Sequence, residues 1–338
     1  MKGMERSKTL IIAEAGVNHN GSLPLAMEMV EKAAAFGADY IKFQTFRTDS
    51  LVTSDCKAAG YQTRNCSEES QMEMLRKLEL SREDFLKIHE YCRRCGIGFL
   101  STPFDFESIS FIASLHPDFM KVPSGEITNL PYLRRMAATG IPMIISTGMS
   151  TAKEVEEALI PFREAGYGYD SMILLHCTTQ YPTPPEDVNL LAMKSLSEEF
   201  GLRTGYSDHT AGIEIPIAAA ALGAVVIEKH FTLSREMEGP DHKASLEPEE
   251  FAGMVNSIRK VEMALGNGEK LVTDSERGNL AAARRSIVAK RKIRKGEIIR
   301  EDDLEAKRPG NGLSPMCWDK VVGSVALRDY EPDDRIEL

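Results

Sequence analysis

The sequence predicts an α/β protein, a (β/α)₈ TIM barrel followed by a small β-rich unit. Eight short apolar, β-rich runs alternate with longer helical patterns as far as residue 265. Nearly every run ends in polar residues. Past Gly266-Asn-Gly268 the alternation stops and short β-like segments take over.

The strand candidates are Leu10–Ala13, Tyr40–Phe43, Gly98–Leu100, Phe119–Val122, Met143–Ile145, Met172–Leu175, Arg203–Gly205 and Val225–Glu228. Most are continuous apolar runs, as strands covered on both faces require. Helix candidates lie between them. Leu23–Phe36 follows Asn20-Gly21-Ser22. Ser81–Cys95 opens with Ser-x-x-Asp, close to a capping box. Thr151–Ala165 opens with Thr-x-x-Glu and stops at Gly166, and Glu247–Leu265 stops at Gly266. Strands each followed by a helix predict the closed barrel. A doubly wound open sheet is the alternative, but no Gly-x-Gly-x-x-Gly follows the first strand.

Residues 46–80 read as a polar, irregular insertion after strand two, either a substrate lid or a surface excursion. Residues 1–265 are the barrel, 266–284 a linker with some helix, and 285–338 the small unit. At this length the small unit is marginal alone and is expected to lean on the barrel or a partner chain. Its basic run, Lys290–Lys295, reads as a solvated turn because acids are nearly as frequent around it.

The 338 residues carry a formal net charge of -10, which argues against a general nucleic-acid binder but leaves room for a basic pocket. The six cysteines form no secreted framework. Cys92-x-x-Cys95 falls within a helical pattern, so structural thiols outweigh a metal or redox pair, and a reducing, cytoplasmic setting is expected. The first apolar run is too short for a signal sequence, and no run of about 18 apolar residues predicts a membrane span.

A barrel builds its active site at the C-terminal strand ends. There stand Glu14, Lys42 with Gln44, Thr102, Lys121 with Ser124, Ser146, His176 with Thr179 and Tyr181, Ser207 with His209, and Glu228 with His230. So many polar groups are costly unless they face one another or a ligand. His209 and His230 end adjacent strands, and paired neutral imidazoles suit a borderline divalent metal such as manganese, iron, cobalt or zinc. Lys42 and Lys121, with hydroxyls and glycine-flanked amides, suit a phosphate. They could instead be Schiff-base nucleophiles or structural groups.

Taken in order, Glu14-Ala-Gly-Val-Asn-His-Asn-Gly21, Lys42-Phe-Gln44-Thr45, Ser101-Thr-Pro-Phe104, Ser124-Gly-Glu126, Ser146-Thr-Gly-Met149, His176-Cys-Thr178, Tyr181-Pro, Ser207-Asp-His-Thr210, Lys229-His-Phe-Thr232, Gly239-Pro-Asp241 and Lys307-Arg-Pro-Gly-Asn-Gly312 resemble the sialic acid synthase family across almost the whole chain. The resemblance implies a barrel with a C-terminal antifreeze-like (SAF) domain and a domain-swapped homodimer. It implies condensation of phosphoenolpyruvate with N-acetylmannosamine, or a 6-deoxy diacetamido relative. The products are then N-acetylneuraminate or a legionaminate-type acid, and phosphate. By resemblance His209 and His230 hold the metal, with manganese expected and magnesium or cobalt as alternatives. Lys42, Thr102, Lys121, Ser124, Ser146, Thr179 and Ser207 contact phosphoenolpyruvate. Glu14, Gln44, Tyr181, Asp241 and, in trans, Arg308 contact the sugar. Glu14, Lys42, Lys121 and Asp241 are the catalytic candidates. Where the family's sialic acid members commonly carry Asn, this chain has Thr179. The runs around Thr179–Tyr181 and Gly239–Leu246 look more like bacterial synthases. A Schiff-base aldolase and a non-enzymatic sugar-binding antifreeze-like protein are the rival readings.

Overall fold

A computed structural model describes residues 8–53 and 70–338. The chain forms two compact units, Met1–Asn267 and Gly268–Leu338. Among the described residues the first unit holds eight strands: β1 (Leu10–Gly16), β2 (Tyr40–Thr45), β3 (Gly98–Pro103), β4 (Met120–Val122), β5 (Met143–Ser146), β6 (Met172–Cys177), β7 (Arg203–Asp208) and β8 (Val226–His230). Their order is β3-β2-β1-β8-β7-β6-β5-β4, with every hydrogen-bonded pair parallel. β3 also packs beside β4, which closes the row into the predicted barrel.

Seven of the eight strands run past the end of their apolar run. The backbone ladder continues into the polar residues, pairing Glu14 with His230, Gln44 with Thr102 and Cys177 with Ser207. Side chains two apart in a strand share a face. Ile12, Leu100, Ile144, Ile173, Leu175 and Val226 fill the barrel's inner floor, with Tyr40 and Phe119 packed against them. One step further along the same face come Glu14, Lys42, Thr102, Lys121, Ser146, Cys177 and Glu228. The alternation that packs the floor therefore delivers the polar groups to the cavity above it. The outward residues, such as Ile11, Ala13, Ile41 and Phe43, pack under the helices.

The helices begin where the sequence signals them. Ser22 caps Leu23–Ala35, Ser81 caps Arg82–Cys95, and Thr151 with Glu154 closes a capping box on Ala152–Glu164. The region expected to be irregular departs from that expectation. It contains the helices Thr48–Leu51 and Gln71–Leu78, and Met74, Leu75 and Leu78 pack on Val17 and Phe46. The apolar spacing 74, 75, 78 is helical, and the polar neighbours hid it. The centre of that insertion, with Cys56 and Cys66, lies outside the described residues.

The second unit begins with the helix Asp274–Ala283, inside the stretch read as linker. β9 (Ser286–Ala289) pairs antiparallel with β10 (Leu304–Lys307). Ile287, Ile293, Ile299, Leu304, Val321, Tyr330 and Ile336 form its core. Among the described residues no helix is long and apolar enough to cross a membrane.

Gly205 lies on the inward face of β7, where an added Cβ would sit 2.4 Å from the Val226 carbonyl oxygen and 2.8 Å from Leu175 Cδ2. Gly205→Ala should destabilise the barrel by about 1–3 kcal/mol through overpacking. Gly253→Ala, on a helix with open space around it, should be neutral or stabilising. Urea-denaturation midpoints of the two variants check the contrast.

Candidate active site

A cavity of about 510 Å³ opens at the C-terminal ends of the strands. Every barrel residue singled out above as catalytic, phosphoenolpyruvate-binding, sugar-binding or metal-binding lines it: Glu14, Lys42, Gln44, Thr102, Lys121, Ser124, Ser146, Thr179, Tyr181, Ser207, His209, His230 and Asp241. Arg308 belongs to the second unit, where its Nε donates to the Ala283 carbonyl at 3.0 Å.

The floor of the cavity is a buried charge cluster. Lys42 Nζ lies 2.9 Å from Glu14 Oε2 and 3.6 Å from Glu228 Oε1, and donates to Thr102 Oγ1 at 3.1 Å. Lys121 Nζ donates to Glu228 Oε1 at 3.1 Å, and Ser207 Oγ donates to the same oxygen at 3.0 Å. Burial alone would raise the Glu228 carboxyl, but Lys121 and Lys42 outweigh it and hold its pKa at about 2. Burial opposes the charge on Lys42, and the two carboxylates more than compensate, so its pKa is raised. Lys121 goes the other way: burial, with Lys42 nearby, outweighs Glu228. Burial pushes Glu14 up despite Lys42. The sequence places Glu228 at its strand end but assigns it no role. Its place two residues before His230 on one strand face was the available signal.

Hydroxyls ring this cluster. Gly148 donates its amide to Ser124 Oγ at 2.9 Å, and Cys177 Sγ lies 3.2 Å from that oxygen. A side chain at Gly148 would collide with Thr179 and Ser124. Ser146 Oγ is buried without a partner among the described residues. Two ammonium groups and unused hydroxyl capacity in a closed cleft suit a small polyanion. The ion pairs that keep Lys42 protonated disfavour it as a Schiff-base nucleophile.

The histidine pair forms one wall, with ring centroids 5.4 Å apart. Tyr181 lies over His209 at 4.1 Å and edge-on to His230 at 5.7 Å. Burial lowers the pKa of His209 to about 4 and that of His230 well below its ordinary value, so both rings are neutral near pH 7. His209 Nδ1 lies 2.5 Å from the Thr178 carbonyl, which can only accept, so the proton sits on Nδ1 and the Nε2 lone pair is left for a ligand. His230 Nδ1 is buried without a partner among the described residues. This donor set fits a divalent transition ion, and a backbone carbonyl orienting a ligating imidazole is the usual outer support. Among the described residues no third His, Cys, Asp or Glu completes a metal cluster, so water or substrate would fill the other positions.

The lining at the end of β1 is acidic. Gln44 Nε2 donates to Glu14 Oε1 at 3.3 Å. Gly16, at φ +52°, leaves a space around which Glu14 Oε1, Gln44 Nε2 and Asp241 Oδ2 converge. Burial, aided by Glu14, raises the Asp241 pKa to about 7. It can therefore carry a proton at neutral pH.

Other histidines stay out of the cavity. His176 Nε2 bonds the Val188 carbonyl, and His89 packs edge-on to Phe99. Burial raises the Cys92 thiol to about 12, which makes it inert. Lys229 and Asp208 form a buried pair at 2.5 Å that ties β8 to β7.

The NeuB family model matches residues 29–270, and the SAF domain model matches residues 284–336. This chain belongs to the NeuB family. It is 49% identical to the N,N'-diacetyllegionaminic acid synthase of Campylobacter jejuni, over 97% of this chain and 99% of that one. It is 50% identical to the N,N'-diacetyllegionaminic acid synthase of Legionella pneumophila, over 93% and 89%. Its structure matches the N-acetylneuraminic acid (sialic acid) synthetase of Leptospira borgpetersenii at a TM-score of 0.72 and 33% identity, covering 81% of this chain and 90% of that one.

Asp241 in this NeuB barrel generates a pH prediction. Its folded pKa of about 7 lies above the ordinary 3.8. The folded state therefore binds the proton more tightly, and stability falls as pH rises through the folded pKa. Asp241→Asn should remove that loss. From pH 5 to pH 8 the variant should gain about 3 kcal/mol on the parent, read by urea denaturation at both pH values. A constant difference would show that Asp241 does not titrate there.

Proposed function

We propose that this chain is a metal-dependent synthase that condenses phosphoenolpyruvate with an N-acetylated mannosamine-type sugar. The acceptor we favour is the 6-deoxy diacetamido form, with a legionaminate-type nonulosonic acid and phosphate as products. The carrying observation is the floor cluster, two buried lysines sharing Glu228 Oε1 within a ring of hydroxyls, facing two neutral imidazoles. The acceptor choice rests on the two diacetyllegionaminic acid synthases of near 50% identity.

Atoms balance as follows. The terminal carbon of phosphoenolpyruvate bonds to the sugar's aldehyde carbon. Water adds to the carbon bearing the phosphate, the bond from that carbon to the bridging oxygen breaks as the new hydroxyl becomes the product's ketone, and of the water's two protons one leaves with the phosphate and one replaces the proton given to the alkoxide. Lys42 and Lys121 bind the anionic reactant, with Thr102, Ser124, Ser146, Thr179 and Ser207 donating to its oxygens. Glu14, Gln44, Tyr181 and Asp241 hold the open-chain sugar, and Glu14 or Asp241 carries the proton that the new alkoxide takes up. A divalent ion held by His209 and His230, with manganese expected and magnesium or cobalt as alternatives, supplies Lewis acidity toward the aldehyde oxygen. Fixing both reactants in one cleft lowers the entropic barrier. In a domain-swapped homodimer, Arg308 from the second unit would complete the sugar site. Phosphoenolpyruvate as a substrate implies work in the cytoplasm.

Phosphate release should require phosphoenolpyruvate together with the 6-deoxy diacetamido acceptor, be weaker with N-acetylmannosamine, and stop with exhaustive chelation. Full release after chelation contradicts the metal, and release without any sugar contradicts the condensation. Lys121→Ala should raise the KM for phosphoenolpyruvate about 10- to 100-fold, the value of a lost charge-assisted contact. His209→Ala should lower metal affinity and activity together. Borohydride should trap no adduct on Lys42 or Lys121.

A further inference from the structure

The run Asn18-His19-Asn20-Gly21 follows β1 and takes no part in the chemistry above. Its side chains fasten a second loop. Asn18 Nδ2 donates to the Phe231 carbonyl and to Ser245 Oγ, both at 2.9 Å. Ser245 Oγ in turn donates to the Asp241 carbonyl at 2.7 Å. Asn18, Ser245 and Asp241 are all buried. The Phe231 carbonyl can only accept, which fixes the orientation of the Asn18 amide.

A second strap lies beside the first. Asn20 Nδ2 donates to the Glu238 carbonyl at 2.9 Å, which turns Asn20 Oδ1 toward His242 Nε2 at 3.3 Å. His242 Nδ1 lies 2.6 Å from Thr232 Oγ1. Asn20 Oδ1 can only accept here, so His242 Nε2 carries the proton, and the single Thr232 hydroxyl proton is shared between Nδ1 and the Ser234 carbonyl at 3.1 Å. Gly239 is needed at the crossing, because a Cβ there would lie 2.6 Å from His242 Cδ2 and 2.9 Å from Asn20 Oδ1.

Both straps join the loop after β1 to the loop after β8, over a pair of strands already in register at Glu14 and His230. Their load is Asp241, whose carboxylate reaches the space at Gly16 shared with Glu14. We infer that Asn18 and Ser245 are positioning residues that hold Asp241 beside Glu14 and so set the affinity for the acceptor sugar without touching it. Asn20 and His242 brace the same loop. Neither Asn18 nor Ser245 lines the cavity.

This inference rests on the proposed sugar site, so it is tested with and without turnover. In steady-state kinetics Ser245→Ala should raise the acceptor KM about tenfold and leave the phosphoenolpyruvate KM within twofold. In an Asp241→Asn background the same change should add nothing. Asn18→Ala removes the bond from the other side and should reproduce the result, which covers a failure of either variant to fold. Without turnover, the pH-dependent stability gap opened by Asp241→Asn should shrink when Ser245→Ala is present in both chains, because the carboxyl relaxes out of its buried place beside Glu14. Equal kinetic effects in both backgrounds, or equal rises in both KM values, would overturn the inference. So would an undiminished stability gap. If the parent turned over no acceptor, the proposed function would fall, and the stability cycle alone would decide whether the straps place Asp241.

Discussion

Two ammonium groups buried at the bottom of a barrel are the constraint from which the rest follows. Lys42 and Lys121 are buried, and among the described residues Glu228, Glu14 and neighbouring hydroxyls compensate them. Removing one partner of a buried pair commonly costs about 3–5 kcal/mol, so the cluster holds only if all its strands deliver their side chains together. Closure of the barrel provides this. Lys42 comes from β2, Lys121 from β4, Glu228 from β8 and Glu14 from β1, and no local segment could assemble them.

The cluster also divides the cavity by chemistry. Its floor sets two ammonium groups against the Glu228 and Glu14 carboxyls, with hydroxyls around them, and can take an anion at the lysines. One wall carries neutral imidazoles with lone pairs to offer. Beside them, at the end of β1 and the loop after β8, Glu14 and Asp241 carry carboxyls raised by burial. A reaction joining an anionic enol phosphate to a polar aldehyde needs these three environments within one cleft. The straps from Asn18 and Asn20 extend the same logic, because a raised carboxyl such as Asp241 keeps its place only when its loop is fastened.

Much of this was legible in the sequence. The eight apolar runs marked the strands, and the polar residues after them marked the polar part of the cavity lining, because a period-two strand that packs its floor must aim its next inward residue at the opening; the lining from the insertion, Leu51, Val52, Gln71, Met74, Leu75 and Leu78, was not marked. Glu228 escaped a role because acids at a strand end are common and its partners lie 107 and 186 residues away in sequence, at Lys121 and Lys42. The helix Gln71–Leu78 escaped because a short amphipathic segment among polar residues is indistinguishable from a loop until its apolar face finds Val17 and Phe46. The Asn18–Ser245 bond was illegible for the same reason as Glu228, being a contact across 227 residues.

The most direct test of the charge cluster as the anion site is a thermal-melt comparison of the parent and Glu228→Gln, each with and without saturating phosphoenolpyruvate. The substitution removes the carboxylate that both lysines share. The ligand-free variant should melt lower than the parent, and phosphoenolpyruvate should raise its midpoint by more than it raises the parent's, because the ligand's negative charge replaces what was lost. Equal midpoints without ligand and equal ligand shifts would contradict the account, since the anion would then be binding somewhere other than between Lys42 and Lys121.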